Sequence, residues 1–231
     1  MDRIKVFLTG GSGTLGGELY RLLVEAGHIV YSPRSAEVDI VDLSSIERYL
    51  SDKNIDLVIN CAAYTDVKSA EKEIQKCIDI NIIGTANIVK YCSTKSIRLV
   101  HISTEHVFDG ERGLYKVMDA INPISKYAKS KGAAELCARM YENCLVIRTS
   151  FFKKEFPYEK AFIDQWSSKD YIDIIAPKIF DQCLTQKNGI VHCVSSRRTL
   201  FEIAKQRKDD VKPWSRKDFN FPTPRDTSLE E

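Results

Sequence analysis

Three groups of residues in this 231-residue chain are spaced for chemistry. The first is the run Thr9-Gly10-Gly11-Ser12-Gly13-Thr14-Leu15-Gly16, in which Gly10, Gly13 and Gly16 recur every third residue. One such glycine permits a tight turn, one lets the backbone approach a pyrophosphate, and one lets a helix pack closely on a sheet. Thr14 and Leu15 open the helix that follows, whose unpaired N–H groups face bound phosphates. The second group is Tyr127 and Lys131, four apart and so on one face of a helix. A phenol serves as general acid for a carbonyl when its pKa is drawn down from about 10, and an ammonium one turn away does this by favouring the phenolate. The same lysine is placed to hold a nicotinamide ribose. The third group is Ser103-Thr104, whose hydroxyls can bind a carbonyl and orient the phenol.

These groups need a scaffold that brings strand ends together, and the apolar pattern supplies one. Strands are expected at Ile4–Leu8, His28–Ser32, Asp56–Asn60, Arg98–Ser103 and Leu145–Thr149. Helices are expected at Thr14–Ala26, at Ser44–Leu50 with Ser44 or Ser45 as cap, over residues 68–78 and 80–93, and from Pro123 through Tyr141. Strands alternating with helices, and apolar on both faces, predict an α/β fold: a doubly wound parallel sheet of the Rossmann kind. The pattern loosens beyond Ser150, where prolines such as Pro157, Pro177 and Pro213 intervene. The expected division is a dinucleotide-binding domain over residues 1–150 and a small C-terminal substrate lobe over residues 151–231. The polar tail Arg225–Glu231 is expected to fray or lie on the surface.

The end of the second strand bears on the cofactor. A carboxylate there binds the ribose 2′-hydroxyl of NAD. This chain has Ser32-Pro33-Arg34 instead, so Arg34 is expected to meet a 2′-phosphate, with NADP preferred and NAD left open. Composition excludes other classes. Net charge is +2, from 34 basic and 32 acidic residues, which gives no reason to expect nucleic acid or an anionic membrane as partner. No apolar run approaches the roughly 20 residues that span a bilayer, and the glycines cut the opening apolar stretch too short for a signal peptide. Seven cysteines without a C-x-x-C pair read as reduced thiols of a cytoplasmic protein. No Cys/His clustering suggests a metal site, and His192-Cys193 is the only adjacent pair.

Taken together, TGGSGTLG, NCAAYTDV (60–67), NIIGTANIV (81–89), HISTEHVFDG (101–110) and YAKSK (127–131) resemble the extended short-chain dehydrogenase/reductase superfamily. Within it, the chain is most similar to the dTDP-4-dehydrorhamnose reductase-like sugar-nucleotide reductases, down to a late DTSL at Asp226–Leu229. The resemblance implies that Thr104, Tyr127 and Lys131 form a catalytic triad. It places Gly10, Gly13, Thr14, Leu15 and Gly16 at the phosphates, Ser32 and Arg34 at the adenosine ribose, and Asp39 and Ile40 at the adenine. Cys61, Ala62, Ala63, Tyr64, Asn81 and Ser103 are implied to line or support the cofactor site. Thr65, Glu105, His106, Phe151 and Trp166 are the implied substrate contacts, and Arg148-Thr149-Ser150 begins the substrate pocket. Arg197-Arg198 could grip a diphosphate or be a solvated pair.

The implied activity is reduction of a keto group on a nucleotide-linked deoxysugar. The alternatives are an epimerase or dehydratase on the same scaffold, or a non-catalytic NADP-binding regulatory subunit. Relatives often pair through helices, so the resemblance admits a homodimer. The chain departs from the family in being short after Ser150. It has Phe151 where a tryptophan is usual, with Trp166 as the replacement aromatic, and Glu105-His106 where Asp and Tyr are usual.

Overall fold

The computed structural model describes residues 3–219 and 223–231. Its centre is a six-stranded sheet of β1 (Lys5–Thr9), β2 (Ile29–Tyr31), β3 (Leu57–Asn60), β4 (Arg98–Thr104), β5 (Cys144–Thr149) and β6 (Gly189–Cys193). The spatial order is β6-β5-β4-β3-β1-β2, and every pairing is parallel. The expected doubly wound α/β fold is therefore present. Strand order reverses between β1 and β3, the switch point at which open α/β sheets bind ligands beyond their strand C-termini.

The central strands β3, β4 and β5 are buried along their whole length, because helices cover both faces. Helix α1 (Thr14–Glu25) packs on one face through Leu15, Leu19 and Leu23. The other face holds α2 (Leu43–Leu50) and α3 (Gly84–Lys95), which bury Ile46, Leu50, Ile88 and Cys92, with α4 (Lys126–Ala138) beside α3. Caps set two boundaries differently from expectation. Helix α2 is capped by Asp42, whose carboxylate accepts from the Ser44 amide at 2.9 Å, and not by Ser44 or Ser45. Helix α4 starts at Lys126 and not at Pro123, since the Ser125 hydroxyl accepts from the Ala128 amide at 3.1 Å.

Two elements of the region assigned to the second lobe join the sheet instead. Helix α5 (Ile172–Cys183) runs through Pro177 and buries Ile172, Ile175, Ala176 and Ile179 in the same core as α1. Strand β6 then pairs with β5. What remains forms a small lobe around Phe156, Ala161, Tyr171, Ile203, Ala204 and Val211, with α6 (Leu200–Lys205).

The tail is not frayed. Asp226, Thr227, Ser228 and Leu229 are all buried. The Ser228 carbonyl accepts from the Tyr115 amide at 2.9 Å. Ser168 and Leu229 exchange hydrogen bonds of 2.8 Å in both directions. Among the described residues no helix is long and apolar enough to cross a membrane.

Candidate functional site

A cleft of about 930 Å³ opens along the C-terminal ends of β1, β3, β4 and β5. Its first end is built by the glycine run. Gly10 sits at φ +70°, and a Cβ on it would lie 2.7 Å from the Ala62 nitrogen, so the turn after β1 touches the segment after β3. A Cβ on Gly16 would lie 2.2 Å from the Gly10 carbonyl oxygen, which fixes the helix against the turn. Gly13 caps α1 without a side-chain acceptor, and the first turn of α1 has no acidic residue. Its leading N–H groups and positive dipole end therefore remain available to an anion. Thr14 and Leu15 line the cleft with Gly10, Gly13 and Gly16.

Asp39, Ile40, Cys61, Ala62, Ala63 and Thr65 also line it. Asn87 holds the Asp39–Val41 turn in place by donating to the Ile40 and Val41 carbonyls at 2.9 and 2.8 Å. Ser32 and Arg34 stand outside the lining, although Pro33 and Ser35 are in it. Ser32 packs against the glycine run, where a Cβ on Gly11 would strike its hydroxyl. Arg34 is exposed, and among the described residues its guanidinium has no ion pair.

Tyr64 and Asn81 act behind the wall and not in it. The Tyr64 hydroxyl donates to Glu73, which turns the ring away. Asn81 lies in a π-helical segment, Cys77–Ile83, a distortion common at functional sites. Its side chain accepts from the Tyr64 amide at 2.7 Å and donates to the Ser130 hydroxyl at 2.8 Å. Ser130 in turn donates to the Tyr127 carbonyl at 2.8 Å. Asn81 thus ties the segment after β3 to the helix that carries Tyr127 and Lys131.

Ser103, Thr104, Tyr127, Lys131 and His106 meet at the middle of the cleft. Burial pushes the Tyr127 phenol up to about 12, and the Thr104 hydroxyl opposes that shift by hydrogen bonding. The expected lowering by Lys131 is absent. Lys131 is itself buried, which brings it down to about 8, and its ammonium donates to the Ile102 carbonyl at 2.7 Å. Desolvation outweighs the attraction that four-residue spacing suggested. The result is a phenol held in its proton-bearing form at neutral pH. The Thr104 hydroxyl accepts from the His106 amide at 3.2 Å. The His106 ring stands edge-on to Tyr127 at 6.1 Å; burial lowers its pKa, Glu105 opposes this and Lys169 adds to it.

Of the other implied substrate contacts, Phe151 lines the cleft, while Glu105 and Trp166 do not. Glu105 is buried and turned into the lobe, where its carboxylate accepts from the Ser167 hydroxyl at 2.8 Å. Trp166 lies under the Arg197 guanidinium at 3.9 Å, outside the cleft. Arg197 also pairs with Asp226 at 2.7 Å and Arg198 with Asp170 at 2.6 Å, so neither is a free diphosphate grip. Thr149 and Ser150 reach the cleft, but Arg148 is committed to Glu135 at 2.6 Å.

Several residues of the site escaped the sequence reading. Glu135 accepts from Ser103 at 2.6 Å and from Arg148, and its position one turn beyond Lys131 was a usable signal. Phe152, Tyr158 and Lys169 also line the cleft. No local pattern marks them, because the lobe that folds them inward is closed by distant contacts.

A family model described as the RmlD substrate binding domain matches residues 4–182. The chain belongs to the RmlD substrate binding domain family. Among curated relatives of this RmlD-family chain is a probable low-salt glycan biosynthesis reductase of Haloferax volcanii, 36% identical over 157 residues, covering 63% of this chain and 52% of the relative. A dTDP-4-dehydrorhamnose reductase of Mycobacterium tuberculosis is 29% identical over 252 residues, covering 96% and 82%. The first curated relatives are matched over only 52%, 61% and 45% of their own length. Among solved structures, a Bacillus anthracis dTDP-4-dehydrorhamnose reductase in complex with NADP superposes with a TM-score of 0.88 at 27% identity, covering 99% of this chain and 90% of that one. A hypothetical dTDP-4-dehydrorhamnose reductase from Sulfolobus tokodaii gives 0.87 at 32% identity, covering 98% and 92%. The fold of this RmlD-family chain thus matches those solved structures over 98–99% of its length.

Proposed function

We infer that this chain is an NADPH-dependent reductase of a keto group on a nucleotide-linked deoxysugar. The observation that carries this reading is that Thr104, Tyr127 and Lys131 line the same cleft as the Gly10–Gly16 run. The likeness to reductases, one of them solved with NADP, supports the same reading.

The residues present fit the cofactor. The space kept clear by Gly10 and Gly16 and the uncapped start of α1 suit a pyrophosphate. Exposed Arg34, at a strand end that lacks a carboxylate, suits a 2′-phosphate. NADPH, when bound, supplies the hydride. The chain supplies the rest. Thr104 hydrogen-bonds the substrate carbonyl oxygen. Tyr127 gives its proton to that oxygen as the carbonyl carbon is reduced. Lys131, charged below about pH 8, stabilises the phenolate left behind. His106 and Phe151 bound the space left for the sugar. Seven free cysteines fit a reducing, cytoplasmic setting.

The test is NADPH oxidation, followed by absorbance, against a panel of nucleotide-linked 4-keto-6-deoxysugars, with NADH in parallel. Turnover on a panel member with NADPH preferred is the expected result. Tight cofactor binding without turnover on any member would move the assignment to a non-catalytic cofactor-binding subunit.

A further inference from the structure

Lys169 is a cleft cation whose ammonium bonding is incomplete. It lines the cleft within electrostatic reach of His106, with its side chain 16% exposed. Its ammonium has three N–H donors, yet among the described residues it makes no hydrogen bond within 3.5 Å. Its nearest partner is the Glu105 carboxylate at 3.6 Å, and the Phe152 ring centre lies at 4.8 Å. Other cations of limited exposure each have a hydrogen-bond partner. Lys131 donates to Ile102, Arg148 to Glu135 and Val117, and Arg198 to Asp170. A half-buried ammonium with unused donors is costly unless something anionic completes it.

The backbone under Lys169 is fixed. Its amide donates to the Ser167 hydroxyl at 3.0 Å, while that hydroxyl donates to Glu105. Fully buried Ser168 is locked to Leu229 and accepts from the Ser195 amide at 2.8 Å. The charge is therefore presented on a rigid turn and not on a mobile loop. Lys153 also lines the cleft, and Asp39, beside Ile40, is the one carboxylate in the lining among the described residues.

We propose that Lys169 is a specificity-determining residue that binds a phosphate of the substrate's nucleoside diphosphate, with Glu105 holding the ammonium in position. This rests on the reductase reading for the nature of the substrate, but its test does not need turnover. Glu105 is a positioning residue here, since it does not line the cleft.

The experiment is calorimetric binding of dTDP, UDP, CDP and GDP, with the matching nucleosides as controls, to the NADP-loaded protein. The variants are Lys169→Arg, Lys169→Met and the double variant Glu105→Gln/Lys169→Met, which avoids leaving a buried carboxylate unpaired. At least one nucleoside diphosphate should bind the parent. Its affinity should fall about tenfold to a hundredfold in both Lys169→Met backgrounds and be largely kept in Lys169→Arg. Nucleoside and NADPH affinities should not change. Equal diphosphate affinity in parent and variants, a fall in melting temperature without loss of diphosphate affinity, or no diphosphate binding by the parent would each overturn the proposal. NADPH binding and turnover in the same samples report separately on the reductase reading.

Discussion

Arg148 and Glu135 form a double contact, Nη2 to Oε1 at 2.6 Å and Nε to Oε2 at 3.1 Å, with both side chains buried. The pair joins the C-terminal half of β5 to α4, one turn beyond Lys131. Glu135 also receives the Ser103 hydroxyl at 2.6 Å. One carboxylate therefore fixes the spacing of the strand end that carries Thr104 and the helix that carries Tyr127 and Lys131.

Arg148→Met should destabilise the fold by about 3 kcal/mol, because it leaves the buried Glu135 carboxylate with only the Ser103 hydroxyl and Arg139 at 3.9 Å. Thermal or urea unfolding measures this. The double variant Arg148→Met/Glu135→Gln should recover a large part of the loss, and equal losses in the single and double variants would show that the pair is not the cause.

Tyr127→Phe should keep cofactor affinity and lose turnover by about a hundredfold to ten-thousandfold, the usual span for a positioned general acid. The phenol is buried in the cleft beside Thr104, and its ring is retained in the variant. Steady-state kinetics with a parallel NADPH titration separates the two effects. Turnover that survives would remove Tyr127 as the acid.

The pH profile follows from the same pair. Burial disfavours the charged form of Lys131 and lowers it to about 8, so its proton is lost earlier than from a free lysine. Tyr127, raised to about 12, stays protonated through that range. The kcat/KM should therefore fall as pH rises through about 8, with the slope of one proton. A profile flat to pH 10 would contradict a requirement for the Lys131 ammonium.

Arg34→Ala should weaken NADPH about tenfold and leave NADH nearly unchanged. The exposed guanidinium has no competing ion pair among the described residues, so the variant removes a contact and leaves no broken bridge. Equal losses for the two cofactors would exclude a 2′-phosphate contact.

Local chemistry was legible in the sequence, and long-range closure was not. The glycine spacing, the Tyr127–Lys131 turn and the hydroxyls at the end of β4 all depend on neighbours within a few residues, and the structure brings them to one cleft. Helix α5 was hidden by Pro177, yet it forms because burial of Ile175, Ala176 and Ile179 against α1 outweighs the lost backbone bond. Strand β6 is an edge strand with only Cys193 fully buried, so it lacks the apolar run that marks β3 to β5. The tail reads as polar, but Asp226 and Ser228 bond to each other and to Arg197, Leu114 and Tyr115, partners more than 25 residues away in the sequence. The direction of the Tyr127 shift was missed for a related reason: spacing reports a nearby charge, whereas burial depends on the whole fold.

The most direct test of the account is a single turnover with NADPH carrying deuterium at the transferable position of nicotinamide C4, on the panel sugar that reacts. Mass spectrometry of the product should find the deuterium on the carbon that had been the carbonyl, in the parent and not in Tyr127→Phe over the same interval. Sugar product without deuterium, or equal transfer in the variant, would contradict hydride reduction with Tyr127 as the proton donor.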